Sequence, residues 1–213
     1  MARTGRPRQF DRDDVLEAAL RLFWEHGYAA TSLAQLREAM RMSSASFYAA
    51  FSSKEQLFDA VVERYASSFG RVTDAIADDE LPPREAVERI LRQSAQMQTD
   101  ASHPSGCLLV SGATCSPANV TVHELLTGRR NLVRANVVAC VERAKSLGEL
   151  PSGTDAQALA SVFVSFLWGL STEARDGVPA GRLDAAVGYL MGVWDATAVA
   201  HTGSITPQST SVT

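Results

Sequence analysis

The sequence predicts an all-α protein: an N-terminal three-helix unit with a helix-turn-helix, followed by a larger helical bundle. Three observations carry that prediction. Capping residues stand ahead of apolar runs at helical spacing, two short helices are separated by about three residues, and two long C-terminal segments carry wide apolar stripes.

Asp11 is a good N-cap, and Val15, Leu16, Ala19, Leu22 and Phe23 follow at helical spacing. Gly27 should end that helix in the left-handed conformation. Thr31 and Ser32 cap a short second helix carrying Leu33, Leu36 and Met40, and Arg41-Met42-Ser43 makes a tight connection. Ser43 or Ser44 caps a third short helix through Phe47, Tyr48 and Phe51. Ser52 and Ser53 then break and re-cap the chain into a fourth helix, expected from Lys54 to about Asp79, with Leu57, Phe58, Val61, Val62, Tyr65 and Phe69.

The remainder reads as helices too. Pro82 and Pro83 start one that runs to about Asp100, with Val87, Ile90, Leu91, Ala95 and Met97 on one face. His103-Pro104-Ser105-Gly106 is a loop, and Cys107-Leu108-Leu109-Val110 a short apolar element. A helix from about Asn119 to Ser146 stops at Gly148. Gly153-Thr154-Asp155 caps the next, and the last runs from near Arg182 to about Ala200. The Thr/Ser-rich tail to Thr213 should be disordered. The expected division is therefore a basic arm over 1–9, a helix-turn-helix domain over 10–56, a ligand-binding and dimerisation domain over 57–201, and a tail over 202–213.

Bulk properties exclude several classes. Hydrophobic residues make up 46% and charged residues 21%, as in an ordinary globular domain. No run approaches the roughly 18 charge-free apolar residues of a membrane span, and the cationic N-terminus lacks the apolar core of a signal peptide. A cytoplasmic location is the expectation. Three cysteines, Cys107, Cys115 and Cys140, have no ligand-like spacing, and a reducing compartment would keep them as thiols. The histidines His26, His103, His123 and His201 are scattered, without metal-ligand pairing, phosphate loop or serine elbow. Neither an enzyme, a cofactor nor a metal site is expected.

The net charge of −4 hides an asymmetry. Residues 1–54 carry eight Lys and Arg against six acids, and the rest carries twelve against eighteen. Arg3, Arg6 and Arg8 stand in the first ten residues with no acid among them. That distribution suits a chain that meets a polyanion with one end.

The run T-S-L-A-Q-L-R-E-A-M-R-M-S-S-A-S-F-Y-A-A-F-S-S-K-E-Q-L-F resembles the DNA-binding signature of the TetR family of regulators. Phe23, Gly27, Tyr28, Thr31, Leu36, Ser43, Phe47, Tyr48, Phe51, Lys54, Glu55 and Leu57 carry the match, over roughly residues 10–60. One residue departs from the pattern: Arg41 stands at the turn where the family usually has Gly. The resemblance implies a ligand-responsive homodimer, a repressor released from a palindromic double-stranded operator by a small molecule.

The third helix must place small or polar side chains in the major groove. Ser43, Ser44, Ala45, Ser46, Ala49 and Ala50 give one such side, without the Arg, Asn or Gln that usually read base edges. Readout then rests on hydroxyls, methyl contacts and residues outside the helix. Ser44, Ser46 and Tyr48 are the candidate DNA contacts on this helix. Tyr48 and Lys54 are expected to anchor phosphates, Thr31 and Ser32 to present the second helix's N-terminus to another, and Arg41 to reach the backbone. Arg6 and Arg8, in Gly5-Arg6-Pro7-Arg8, either lie in an A·T-rich minor groove or add nonspecific, salt-dependent attraction.

In the C-terminal bundle, Leu159, Val162, Phe163, Phe166, Leu170, Val187, Leu190, Met191 and Trp194 are the candidate dimer interface. Their stripe is wider than one neighbour covers, and small residues lie beside it. A two-fold axis would set two recognition helices roughly 34–36 Å apart. The candidate effector pocket comprises Phe69, Met97, His103, Cys107, Leu108, His123, Phe166, Trp168 and Tyr189. A sharper alternative makes Cys107 or Cys115 a reactive thiol, although no basic neighbour in the local sequence lowers either pKa. A helical interaction scaffold and a sequence-independent DNA binder are the competing classes. The first would lack the N-terminal signature, and the second would be more basic.

Overall fold

The computed structural model describes residues 11–112 and 119–202, with side chains through Val199. Arg6 and Arg8, Cys115, the His201 side chain and the Thr/Ser-rich tail beyond Thr202 lie outside the described residues. Within them every regular element is helical. The elements are α1 (Arg12–Ala30), α2 (Leu33–Ala39), α3 (Ser44–Phe51), α4 (Lys54–Ala66), a 3-10 segment (Phe69–Ala77), α5 (Pro83–Gln98), α6 (Leu108–Ser111), α7 (Val120–Ser146), α8 (Ala156–Arg175) and α9 (Ala180–Thr202).

Each predicted capping segment supplies a cap. Asp11 accepts from the Asp13 amide at 2.8 Å, Ser43 from Ser46 at 3.1 Å, Ser53 from Gln56 at 3.2 Å and Asp155 from Ala158 at 3.0 Å. Each satisfies one of the orphan amides that open a helix. Ser32 goes further. Its hydroxyl accepts from the Gln35 amide while Gln35 Oε1 accepts from the Ser32 amide, a reciprocal capping box.

Two compact units result. The first spans Met1–Phe69 and Cys107–Thr127. Its core joins α1, α4 and α6 through Leu20, Phe23, Trp24, Phe58, Val61, Tyr65 and Leu108. Phe23 meets Phe58 edge-on at 4.9 Å, and Trp24 meets Tyr65 edge-on at the same distance. The second unit spans Gly70–Gly106 and Gly128–Thr213. Ile90, Leu91, Val141, Phe163, Leu167, Val187 and Trp194 centre its core, where α5, α8 and α9 pack together. Arg84 of α5 also grips Asp195 of α9 with two hydrogen bonds, at 2.7 and 3.0 Å. The compact unit around the helix-turn-helix thus takes in more chain than residues 10–56.

Three expectations are corrected. Gly27 does break the helical backbone, but at φ 77° and ψ 167° rather than in the left-handed helical well, and a short helical stretch to Ala30 follows across the kink. The fourth helix stops at Ala66 rather than near Asp79. Ser67 and Ser68 turn their hydroxyls back onto the carbonyls of Glu63 and Arg64, and the chain tightens into the 3-10 segment. Most of the apolar stripe assigned to dimerisation is interior: Leu159, Phe163, Leu170, Val187, Met191 and Trp194 are buried within one chain. They pack against α5 and one another, so they offer no surface to a partner.

One glycine is dictated by both backbone and space. Gly106 has φ +84°, and a Cβ there would lie 2.8 Å from Ser171 Oγ and 3.0 Å from the Ser171 carbonyl. Gly148 shares the positive φ but has open space around it. Gly148→Ala should therefore lose about 1 kcal/mol and Gly106→Ala at least ~2 kcal/mol, as measured by urea unfolding. Equal losses would show that the approach to α8 contributes nothing.

Candidate nucleic-acid interface

The candidate reading face is built on α3. Phe47 and Phe51 are buried and fasten the helix to its unit, leaving Ser44, Ala45, Ser46, Tyr48 and Ala49 exposed. Ser43 caps the helix, and its hydroxyl also lies 2.9 Å from Ser46 Oγ. Tyr48 is 53% exposed, its ring braced edge-on against Phe47 at 5.3 Å. A hydroxyl and methyl surface with one upright phenol can lie against a groove and a sugar-phosphate edge.

Both ends of α3 are held by unusual backbone. Arg41, in the turn before it, has φ 53°, and Ser52, its C-cap, has φ 57°. L-residues resist this region, and hydrogen bonds hold the chain there. The Met42 amide donates to the Arg37 carbonyl at 2.9 Å, and the Ser52 amide to the Tyr48 carbonyl at 3.2 Å. The exposed Arg41 lines an open cleft with Ala34, Arg37, Glu38 and Met42. Arg37, which pattern alone did not single out, lies half-buried beside it with its Nε unpaired.

Two predicted phosphate contacts have other partners. Thr31 is fully buried, and its hydroxyl donates to the Gly27 carbonyl at 2.7 Å, so it ties the end of α1 instead of facing solvent. Lys54 donates to the Tyr28 carbonyl at 2.6 Å and sits over the Tyr28 ring at 4.2 Å. Burial lowers its pKa. Ser32 remains exposed at the N-terminus of α2.

Beside Lys54 a polar knot closes α1 onto α4. The Tyr28 hydroxyl donates to Glu55 Oε1 at 2.7 Å, and Asn119 Nδ2 donates to both at 3.2 Å. The Tyr28 hydroxyl bond holds the Glu55 carboxyl below its ordinary range, while burial and that carboxylate push the Tyr28 phenol up. Asn119 Oδ1 in turn accepts from the Val122 amide at 3.1 Å in the first turn of α7.

The candidate effector residues are divided between the two units. Phe69, Cys107 and Leu108 belong to the first unit, where Phe69 packs on Trp24 at 4.9 Å and Tyr65 donates to Cys107 Sγ at 3.2 Å. His123 also falls there, exposed on α7. Met97, His103, Phe166, Trp168 and Tyr189 belong to the second unit. Tyr189 is 87% exposed and lines no interior.

The sequence and fold were compared with known proteins. Residues 15–61 match the family described as "Bacterial regulatory proteins, tetR family", and residues 83–177 match "Tetracyclin repressor-like, C-terminal domain". The HTH-type transcriptional repressor ComR of Escherichia coli (strain K12) is 32% identical over 192 residues, covering 89% of this chain and 91% of ComR. This chain belongs to the TetR family. It is a DNA-binding transcription regulator and not an enzyme. The repressor BdcR of the same strain is 31% identical over 108 residues, 51% of this chain and 55% of BdcR. Among solved structures, a cysteine mutant of the TetR family regulator CifR complexed with 26-bp operator DNA is 38% identical. It superposes with a TM-score of 0.82, covering 89% of this chain and all of that one. The all-helical architecture with an N-terminal helix-turn-helix is that of the TetR family. No helix among the described residues is long and apolar enough to cross a membrane.

Tyr28→Phe should lower the unfolding free energy by about 1–2 kcal/mol at pH 7. A depressed carboxyl pKa stabilises the fold above its unfolded value and ceases to do so as pH falls through the folded one. The difference between Tyr28→Phe and the parent should therefore shrink by pH 3. Urea unfolding at both pH values decides the matter, and a pH-independent difference would remove Glu55 as the partner.

Proposed function

We propose that this chain is a repressor that binds a palindromic operator as a homodimer and leaves it when a small molecule binds the C-terminal bundle. The observation that supports it most directly is the likeness to CifR, a structure determined on operator DNA, over nearly the whole of both chains. The proposed division follows function: an arm over 1–9, a DNA-reading head over 10–56, an effector and dimer body over 57–201, and a tail over 202–213. A cytoplasmic location follows from the same reading.

In the head, Ser43, Ser44, Ser46 and Tyr48 are the proposed groove and phosphate contacts, with Ser32 at the N-terminus of α2 and Arg41 on the backbone. Arg6 and Arg8 are proposed to extend that contact from the arm. Thr31 and Lys54 act from behind, keeping α1 and α4 in place.

The proposed dimer face is what α8 and α9 leave uncovered. Val162 and Val193 are exposed, Phe166 and Leu190 half-buried, and Tyr189 stands out from α9. Gly169, Gly188 and Gly192 lie among them with open space where a Cβ would be. A second copy could bring its helices close at those glycines and bury the valines.

The experiment is a mobility shift with DNA upstream of the chain's own gene and then a genomic fragment pool, with excess competitor at physiological salt. A discrete competitor-resistant shift is expected, and failure across the pool would end the reading. In the same assay Arg41→Gly should weaken operator binding and reduce the salt slope by about 1, while stability rises by up to ~1 kcal/mol. Unchanged affinity would remove Arg41 from the interface. Val162→Arg should give a monomer by analytical ultracentrifugation with its helical circular dichroism intact. Its operator affinity should fall at least ~100-fold, because half-sites would no longer be bound together.

A further inference from the structure

The second unit buries polar groups that its own packing does not satisfy. Gln98, on the last turn of α5, is 2% exposed, and its Oε1 has no hydrogen-bond partner. Trp168 of α8 likewise has its Nε1–H enclosed and unpaired. An unmade bond at a buried polar group is costly enough that proteins rarely tolerate one without reason. Here there are two, one acceptor and one donor.

Contacts around Gly106 bring the two helices together. The Gly106 amide donates to the Gln98 carbonyl at 2.9 Å, and Gly106 lies so close to α8 that a Cβ would strike Ser171. Trp168 stands three residues before Ser171, hence on the same side of α8 one turn away. Ser94, also buried, stands one turn before Gln98. His103 nearby keeps its Nδ1 3.0 Å from the Pro104 carbonyl. Among the described residues no Asp, Glu, Lys or Arg is buried, so the interior holds no permanently charged side chain to neutralise an ionic ligand.

We propose that Gln98 and Trp168 are the polar pair that reads the effector, and that the effector is an uncharged small molecule with a carboxamide-like head on an apolar body. The inference rests on the regulator reading for calling the ligand an effector, but not for the site. The ligand's carbonyl accepts from Trp168 Nε1–H and its N–H donates to Gln98 Oε1, so both orphan groups are satisfied by one head. The apolar body lies among the aliphatic side chains of α5 and α8. Such a site rejects a hydrocarbon of the same shape, which leaves both groups unpaired.

The test uses the full chain and three variants, Gln98→Met, Gln98→Leu and Trp168→Phe, with benzamide as probe and toluene as its apolar counterpart. Without ligand, the Gln98 variants should melt at or above the parent temperature, because the buried acceptor is unused. A fall of more than 3 °C in both, on the order of 1 kcal/mol for a chain of this size, would show that Gln98 is structurally bonded and overturn the proposal. Benzamide should change the parent's tryptophan fluorescence saturably, with toluene and either Gln98 variant at least tenfold weaker. Trp168→Phe should lose the signal, since Trp24 and Trp194 are closed in the cores. Equal binding of benzamide and toluene, or none of benzamide up to its solubility, overturns the assignment and leaves the orphan groups to bound water only. Failure of the parent itself to shift DNA would strike the regulator reading and leave the ligand titration standing.

Discussion

The DNA-reading head hangs on the closure of α1 onto α4 around Tyr28. Its ring packs against Phe58 at 5.1 Å, its carbonyl holds the Lys54 ammonium, and its hydroxyl holds Glu55. One side chain thus uses an apolar face, a quadrupole and a polar tip at the same time. Between the two helices so fixed, α2 and α3 have little freedom. Each is shorter than the roughly 12 residues that an isolated helix needs in water, so their helicity comes from their caps and from Leu36, Phe47 and Phe51 in the core. Asn119 extends the same knot to the first turn of α7, the helix whose residues from Gly128 onward belong to the second unit.

Much of this was legible in the sequence because it is local. Asp11, Ser32, Ser43, Ser53 and Asp155 announce helix starts by chemistry that spans at most three residues; Asp11 caps as read, and the other four are each one of the residues read as a possible cap. The burial of Phe47 and Phe51 against the exposure of Ser44 and Ser46 follows from helical periodicity alone.

The failures share a cause, which is that periodicity reveals an apolar stripe but not what covers it. Phe163 and Trp194 look equally suited to a partner chain and to a core, and only the approach of α5 and of each other's helix assigns them inward. Thr31 and Lys54 were read from the chemistry of their tips, yet their partners are the carbonyls of Gly27 and Tyr28. The Lys54 contact bridges 26 residues. The early end of α4 turns on two serine hydroxyls bonding backward, a competition that a good apolar pattern conceals. Trp168 stands among the candidate effector residues and Gln98 does not, yet no local signal marks either as unpaired, since that is a property of the surroundings.

The recognition helix separates what holds it from what it displays. Phe47 and Phe51 anchor it, Ser43 starts it and the Ser52 turn closes it, while Ser44, Ala45 and Ala49 touch nothing in the core. Exchanges at those outward positions leave the fold indifferent. The set of DNA sequences such a head prefers can therefore drift over generations while its thermal stability stays constant, and two relatives with superposable heads need not share a single target.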